Sequence, residues 1–250
     1  MGQARRQREA ERAGNGKVII GNVHGGSYSA AFTGSLVRTL MYDVATSRSL
    51  AGFLNDWSSA NISCSRNTVV EQFLAHDSQA EWLLFIDSDM QWEHDAVERL
   101  LQAADPVEAP IVGGLCFGAT DDALFPTIYR LTKQDDGPVC VRAGNYPHDQ
   151  LVPCDATGAA FLFIHRGVLE AMRERAFNRT FPWFQETEMS GRPVGEDITF
   201  CLRARQLGYP IHVDTRVKVG HHKSTIYTEA MFDAQHANDD AGEAVTSGAH

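Results

Sequence analysis

Apolar residues along the chain recur in two alternating rhythms. The run KVIIGNV (17–23) is β-rich, and the segment from Ser29 to about Thr46 follows it with Phe32, Leu36, Leu40 and Val44 at helical spacing. SLAGFLN (49–55) reads as a second strand, and Ser65 to His76 as a helix that turns Val69, Val70, Phe73 and Leu74 inward. WLLFI (82–86) is apolar at every position, the pattern of a strand covered on both faces. An amphipathic helix over Glu93 to Ala104 and a buried strand, APIVGGLCF (109–117), complete the series. Strands alternating with helices predict a parallel sheet with helices on both faces, and such sheets bind ligands beyond the carboxyl ends of their strands.

In the second half the rhythm changes. PTIYRLT (126–132), GAAFLFIH (158–165), IHV (211–213) and RVKVG (216–220) read as strands, with helices over Gly167 to Arg175 and Asp197 to Leu207. The second helix stops at Gly208, a residue suited to the position after a helix end. A strand-rich second half on a strand-helix first half, with no Pro/Ser linker and no internal repeat, predicts an α/β fold. Its sheet is mixed and mostly parallel, flanked by helices, in a single domain over residues 17–232 that divides into halves at 17–120 and 121–232. Residues 1–16 are charged and aperiodic, and residues 233–250 are rich in Ala, Asp, Gly and Ser. Both are expected to be flexible.

Composition narrows the function. Of 250 residues, 43% are hydrophobic, enough for one continuous core, and a net charge of -10 disfavours loose electrostatic binding to nucleic acid or anionic membrane. No apolar run approaches the ~20 residues of a membrane-spanning helix. The segment MGQARRQREAERAGNGK has no apolar stretch of the secretory kind, so a cytoplasmic protein is expected. Cys64, Cys116, Cys140, Cys154 and Cys201 are widely spaced and form no C-x-x-C, which favours reduced thiols over a zinc cluster.

Three polar clusters stand out against this background. Asp87-Ser88-Asp89 follows the buried strand WLLFI directly. Two carboxylates two positions apart at a strand's end can project toward one hard cation, and Mg²⁺ or Mn²⁺ favours oxygen ligands shared with phosphate. Capping of the next helix is the plainer use of an Asp here, but it needs one acid and not two. Gly195-Glu196-Asp197 opens a helix, where acids suit the helix dipole and where a carboxylate can also serve as a general base. Val219-Gly220-His221-His222 follows an alternating strand, so one of the two imidazoles faces a site beyond it.

Taken in order, FIDSDM (85–90), the GED-I-x-F-C-x-R-A-x-x-x-G stretch (195–208) and V-x-V-G-H (217–221) resemble the GT-A glycosyltransferases, particularly the family-2-like enzymes, over residues 17 to 222. The resemblance implies that Asp89 and His221 hold a Mn²⁺ or Mg²⁺ ion against the donor diphosphate. Asp87 would lie nearer the ribose and the waters of the metal, and Glu196 and Asp197 would form the catalytic pair with Asp197 as base. Cys64-Ser65-Arg66-Asn67 is similar to a segment whose Arg and Asn approach the nucleotide, and Asn22-Val23-His24-Gly25-Gly26 would lie under it. Asp56 stands where a base-binding acid is often found, in a loosely matching context. Donor-binding residues on this reading are His24, Gly25, Asp56, Arg66, Asn67, Asp87, Ser88 and Asp89, with His222 the alternative to His221 at the metal.

The implied activity is transfer of a sugar from a UDP- or GDP-sugar to an acceptor hydroxyl, with the Glu-Asp pair leaning toward inversion. Residues 17–120 would then bind the donor and 121–232 the acceptor. Asp155 to Ala159 and the aromatic stretch Phe181-Pro182-Trp183-Phe184 are candidate acceptor walls, with at least one of these rings expected in the core, and Gln185 to Gly195 is a candidate lid. A nucleotidyltransferase is the nearest rival, yet Gly25-Gly26 has no Lys or Arg beside it and no P-loop or G-x-G-x-x-G is present. A non-catalytic sugar-binding protein would not need all three clusters. The acidic balance disfavours a nucleic-acid acceptor.

Overall fold

The computed structural model describes residues 17–223 apart from 59, 60, 77, 79, 121, 122 and 136. The expected flexible segments 1–16 and 233–250 lie outside the described residues. The elements are, in chain order, β1 (Val18–His24), α1 (Ala30–Ala45), β2 (Leu50–Trp57), α2 (Ile62–Ala75), β3 (Trp82–Asp87), β4 (Met90–Gln91), α3 (Ala96–Ala103) and β5 (Ile111–Leu115). They continue with β6 (Phe117–Ala119), β7 (Leu124–Pro126), β8 (Ile128–Gln134), β9 (Gly137–Arg142), β10 (Leu151–Cys154), β11 (Ala156–Thr157) and β12 (Phe161–His165). The last are α4 (Arg166–Arg175), β13 (Thr187–Met189), β14 (Arg192–Val194), α5 (Glu196–Gln206), β15 (Ile211–Lys218) and β16 (Gly220–His221).

A seven-stranded sheet in the order β10-β15-β5-β12-β3-β1-β2 forms the centre. Strands β1, β2, β3, β5 and β15 run one way, while β12 and β10 run against them, so the sheet is mixed and mostly parallel. Strand β12 explains why direction is hidden from the sequence. Phe161, Leu162, Phe163 and Ile164 are all fully buried between β3 and β5, and a run that is apolar on both faces carries no mark of its direction.

Successive side chains of each strand enter opposite layers of core. On one face, Ile19, Val23, Leu83 and Phe85 pack with α2, α4 and α5 through Val69, Phe73, Leu169 and Phe200. On the other, Ile20, Leu84, Ile86 and Phe163 pack with α1 and α3 through Phe32, Val97 and Leu100. Close packing also requires bare backbone: a Cβ on Gly21 would sit 2.6 Å from Val69 Cγ1.

Helix α1 corrects the simple periodic reading. Its apolar stripe predicts an inward Leu40 and Val44, but these are 44% and 66% exposed, and the buried positions are Phe32, Ser35, Thr39 and Asp43. Directed hydrogen bonds set the rotation. Ser35 Oγ accepts from Trp92 N–H at 3.1 Å, Thr39 Oγ1 accepts from the Trp92 indole at 2.8 Å, and Asp43 Oδ1 accepts from the Ser49 N–H and hydroxyl, both at 2.7 Å. Burying those groups unpaired would cost roughly 1–3 kcal/mol each, comparable to what burying one Val or Leu gains.

Boundaries shift where caps decide them. Helix α2 starts at Ile62 because Asn61 Oδ1 accepts the Cys64 N–H, so Arg66 and Asn67 lie in its second turn. The expected strands IHV and RVKVG join into β15, and the expected lid from Gln185 to Gly195 is mostly the β13-β14 hairpin, pinned by Ser190 Oγ to the Pro138 carbonyl at 2.8 Å. Among the described residues, no helix is long and apolar enough to cross a membrane.

Candidate functional site

The carboxyl ends of β1 and β3 open on a cavity of about 690 Å³ whose walls include His24, Gly25, Ser29, Asp87, Ser88 and Asp89. The first turn of α1 closes one side, held by the Ser29 N–H donating to the Ser88 carbonyl at 3.0 Å. At the mouth, His24 stacks on Tyr28 with ring centroids 5.0 Å apart and meets Trp57 edge-on at 5.5 Å. Trp57 is 67% exposed and lies against Gly26, whose φ of +100° and 2.8 Å clearance to that ring leave no room for a side chain. Tyr28 and Trp57 are functional candidates that the sequence reading missed. Trp57 ends β2 and Tyr28 follows β1, so both rings stand at the carboxyl ends of adjacent parallel strands.

Antiparallel pairing of β16 with β4 brings the distant histidine to the acid. His221 lies opposite Met90, and the His222 N–H donates to the Asp89 carbonyl at 2.8 Å. His221 Nε2 then lies 3.0 Å from Asp89 Oδ2, while its Nδ1 lies 3.0 Å from the Phe117 carbonyl. A carbonyl accepts only, so Nδ1 carries the proton and Nε2 is left facing a carboxylate. That contact is favourable when Nε2 is protonated or when a cation lies between the two. Lys223 Nζ donates to the same Asp89 oxygen at 2.9 Å. Burial opposes the Asp89 charge, but hydrogen bonds and charge from Lys223 and His221 outweigh it and hold the carboxyl below its usual range.

These groups fit a divalent cation. Carboxylate is a ligand of Mn²⁺ and Mg²⁺ alike, an imidazole beside it favours the softer transition ion Mn²⁺, and adjacent ligands held at about 2.1 Å lie about 3 Å apart. No cluster of three or more His, Cys, Asp or Glu side chains that could hold a metal occurs among the described residues. Two protein ligands suit an ion completed by phosphate oxygens and water, which is the habit of Mg²⁺ at nucleotide sites. Of the histidine pair, His221 is the one beside Asp89; His222 lines the cavity.

Other expected site residues do different work. Arg66, expected to approach the nucleotide, has a side chain only 3% exposed. Its Nη2 donates to both Asp87 oxygens at 3.0 and 3.2 Å, Nε to Glu196 at 3.3 Å and Nη1 to the Ala159 carbonyl at 3.2 Å. Its guanidinium carbon also lies 5.4 and 5.8 Å from the Phe85 and Phe184 ring centroids. Burial works against its charge, and Asp87, Glu196 and Asp197 together more than offset that, leaving it raised. Asp87 is thereby turned to the guanidinium, with burial pushing its carboxyl up and Arg66 opposing. Asn67 is likewise tied into the fold: its Nδ2 donates to the Ser63 and Phe184 carbonyls at 2.6 and 2.7 Å, and its Oδ1 accepts from Trp183 N–H at 3.2 Å. Asp56 falls within β2, paired with Val23, and is absent from the cavity wall.

Glu196 and Asp197 open α5 behind Arg66, outside the cavity wall. Burial, then the Glu196 charge, pushes the Asp197 carboxyl up to about 6. Its Oδ2 would lie 3.6 Å from a Cβ on Gly158, so it faces the Asp155 to Ala159 segment. In the aromatic stretch, where at least one ring is expected in the core, both Trp183 and Phe184 belong there, 1% and 0% exposed. All five cysteines are free thiols.

No protein-family model and no curated protein matches the sequence. Among solved structures, the chain is similar to A197 from STIV, with 16% identity and a TM-score of 0.53 over 83% of this chain and 86% of that one. It is also similar to GalNAc-T7, solved with UDP, GalNAc and Mn²⁺, with 11% identity and a TM-score of 0.52 over 83% of this chain. The match spans 44% of the GalNAc-T7 chain. The central sheet and its flanking helices are thus of the GT-A type.

Proposed function

We propose that this chain is a divalent-cation-dependent, family-2-like glycosyltransferase that moves a sugar from a nucleoside diphosphate to an acceptor hydroxyl with inversion. The observation that carries this reading is the meeting of Asp89 and His221, 132 residues apart in sequence, at the edge of a cavity lined by the ends of parallel strands. The GT-A type of the fold supports it, as does the UDP and Mn²⁺ bound by the structural relative GalNAc-T7.

In this scheme the exposed rings of Tyr28 and Trp57 give the base a stacking face, with Gly25 letting the chain pass close beneath. Asp89 and His221 would hold Mn²⁺ or Mg²⁺, which supplies Lewis-acid stabilisation to the departing diphosphate. Ser88 and Asp87 line the wall beside them, and Arg66 fixes the Asp87 carboxylate while tying it to Glu196. Asp197, whose carboxylate faces Gly158, takes the proton of the acceptor hydroxyl as that oxygen attacks the anomeric carbon.

A thermal-shift panel of UDP, GDP and their sugar conjugates, with and without Mn²⁺, tests the donor site. A diphosphate at a hundred times its dissociation constant adds about 2.7 kcal/mol of stability. Stabilisation is expected only with metal, and Asp89→Ala is expected to abolish it. Stabilisation of the variant by diphosphate without metal overturns the assignment.

A further inference from the structure

We infer that Lys223 is an exchangeable counter-cation: it occupies the Asp89 carboxylate while the site is empty and transfers its charge to the donor diphosphate when a divalent ion takes its place. This rests on the function proposed above and adds a residue to it. Three observations carry the inference.

First, Lys223 Nζ and His221 Nε2 converge on one oxygen, Asp89 Oδ2, at 2.9 and 3.0 Å. Whatever cation binds there competes with the ammonium for that oxygen. Second, Lys223 is the one Lys or Arg among the described residues that line the cavity, since Arg66 is buried behind the wall and consumed by Asp87 and Glu196. A diphosphate entering this cavity meets no other Lys or Arg side chain on its described walls, only the imidazoles of His24 and His222. Third, the Lys223 side chain is 62% exposed, so its four-carbon stem is free to swing once Asp89 releases it.

Charge balance gives the direction of the swap. Before binding, the Asp89 charge is matched by Lys223. A divalent ion on Asp89 brings one positive charge more than that carboxylate cancels, and the two negative charges of a diphosphate diester then leave a deficit of one. Lys223 supplies it, and it matters more after transfer, when the leaving diphosphate gains a further negative charge. A compact ammonium that keeps its charge while changing partner suits this task.

The inference makes two effects move in opposite directions. In Lys223→Gln, nucleotide-free protein titrated with MnCl₂ is expected to bind the ion several-fold more tightly, because a competing cation is gone. UDP or GDP titrated at saturating Mn²⁺ is expected to bind about tenfold more weakly, because a phosphate partner is lost, a change of about 1.4 kcal/mol. Lys223→Arg should restore the diphosphate affinity. Unfolding midpoints of both variants should match the wild type, as the side chain is exposed. Absence of metal-dependent diphosphate binding in the wild type overturns the donor-site reading and this one with it. Wild-type binding with both affinities unchanged, or shifted in the same direction, in Lys223→Gln overturns the exchange alone.

Discussion

Asp87 and Asp89 are one residue apart at the end of the same strand, yet their surroundings have little in common. Both oxygens of Asp87 accept from Arg66, whose side chain is 3% exposed and whose remaining bonds go to Glu196 and the Ala159 carbonyl. Asp89 is 35% exposed, and its partners are a 62% exposed lysine and a histidine at the cavity's edge. In the first cluster each charge is met by another part of the chain. In the second, the partners come from a two-residue strand and from an exposed lysine side chain that a ligand can displace. Two carboxylates in one short motif have therefore divided into one tied into the fold and one left open to the cavity.

The largest effect expected from this contrast is on stability. Arg66→Met leaves Asp87 and Glu196 facing each other without a counter-charge in a covered site, and removing one partner of a buried ion cluster costs about 3–5 kcal/mol. Denaturant unfolding should show that loss. Asp89→Ala removes a partly exposed pair and should cost no more than about 1 kcal/mol on the same scale. Equal losses in the two variants would erase the distinction between the clusters.

A smaller effect belongs to Asn67, which sits on the same side of the divide as Asp87. Its amide joins α2 to the Trp183-Phe184 backbone through bonds in both directions, and Asn67→Ala would strand buried carbonyl and N–H groups there. A loss of about 1–3 kcal/mol is expected. The affinity of the folded variant for diphosphate and Mn²⁺ should stay near that of the wild type, whereas a direct donor contact would lower it more than it lowers stability.

The same contrast marks what the sequence can disclose. Periodicity gave the sheet and most helices, because burial of alternating or 3.6-spaced apolar residues is what forms them. The meeting of Asp89 with His221 was legible too, since an acid pair after a buried strand and a histidine after an alternating one are constrained by strand ends. Rotation of α1 was not legible. It follows from Trp92 bonding to Ser35 and Thr39, and no local pattern states which residue across the chain will supply a partner. Arg66 and Asn67 are a related case: the resemblance of their segment implies an approach to the nucleotide, while their position in the second turn of α2 turns them into the core, where they bond Asp87, Glu196 and the Trp183-Phe184 backbone. Trp57 was missed because an exposed ring is visible only once its neighbours Gly26 and His24 are in place.

Asp197 lies between the two clusters in character, and it gives the finest test of the contrast. Its carboxyl is pushed up to about 6 by burial and by Glu196, with the Ile198 N–H and Arg66 pulling the other way. A carboxyl whose folded pKa exceeds its unfolded value favours the protonated state. Its contribution to stability is therefore complete below about 4 and declines as pH rises through 6. Asp197→Asn should be more stable than the wild type at pH 8, with little difference at pH 4, as read from paired unfolding curves. If Asp197 is also the base, kcat/KM should fall about tenfold for each pH unit below 6 while metal and diphosphate remain saturating. That limb should vanish in the variant. A limb that persists in Asp197→Asn would move the proton transfer to another group, leaving Asp197 with Arg66 among the residues that build the site.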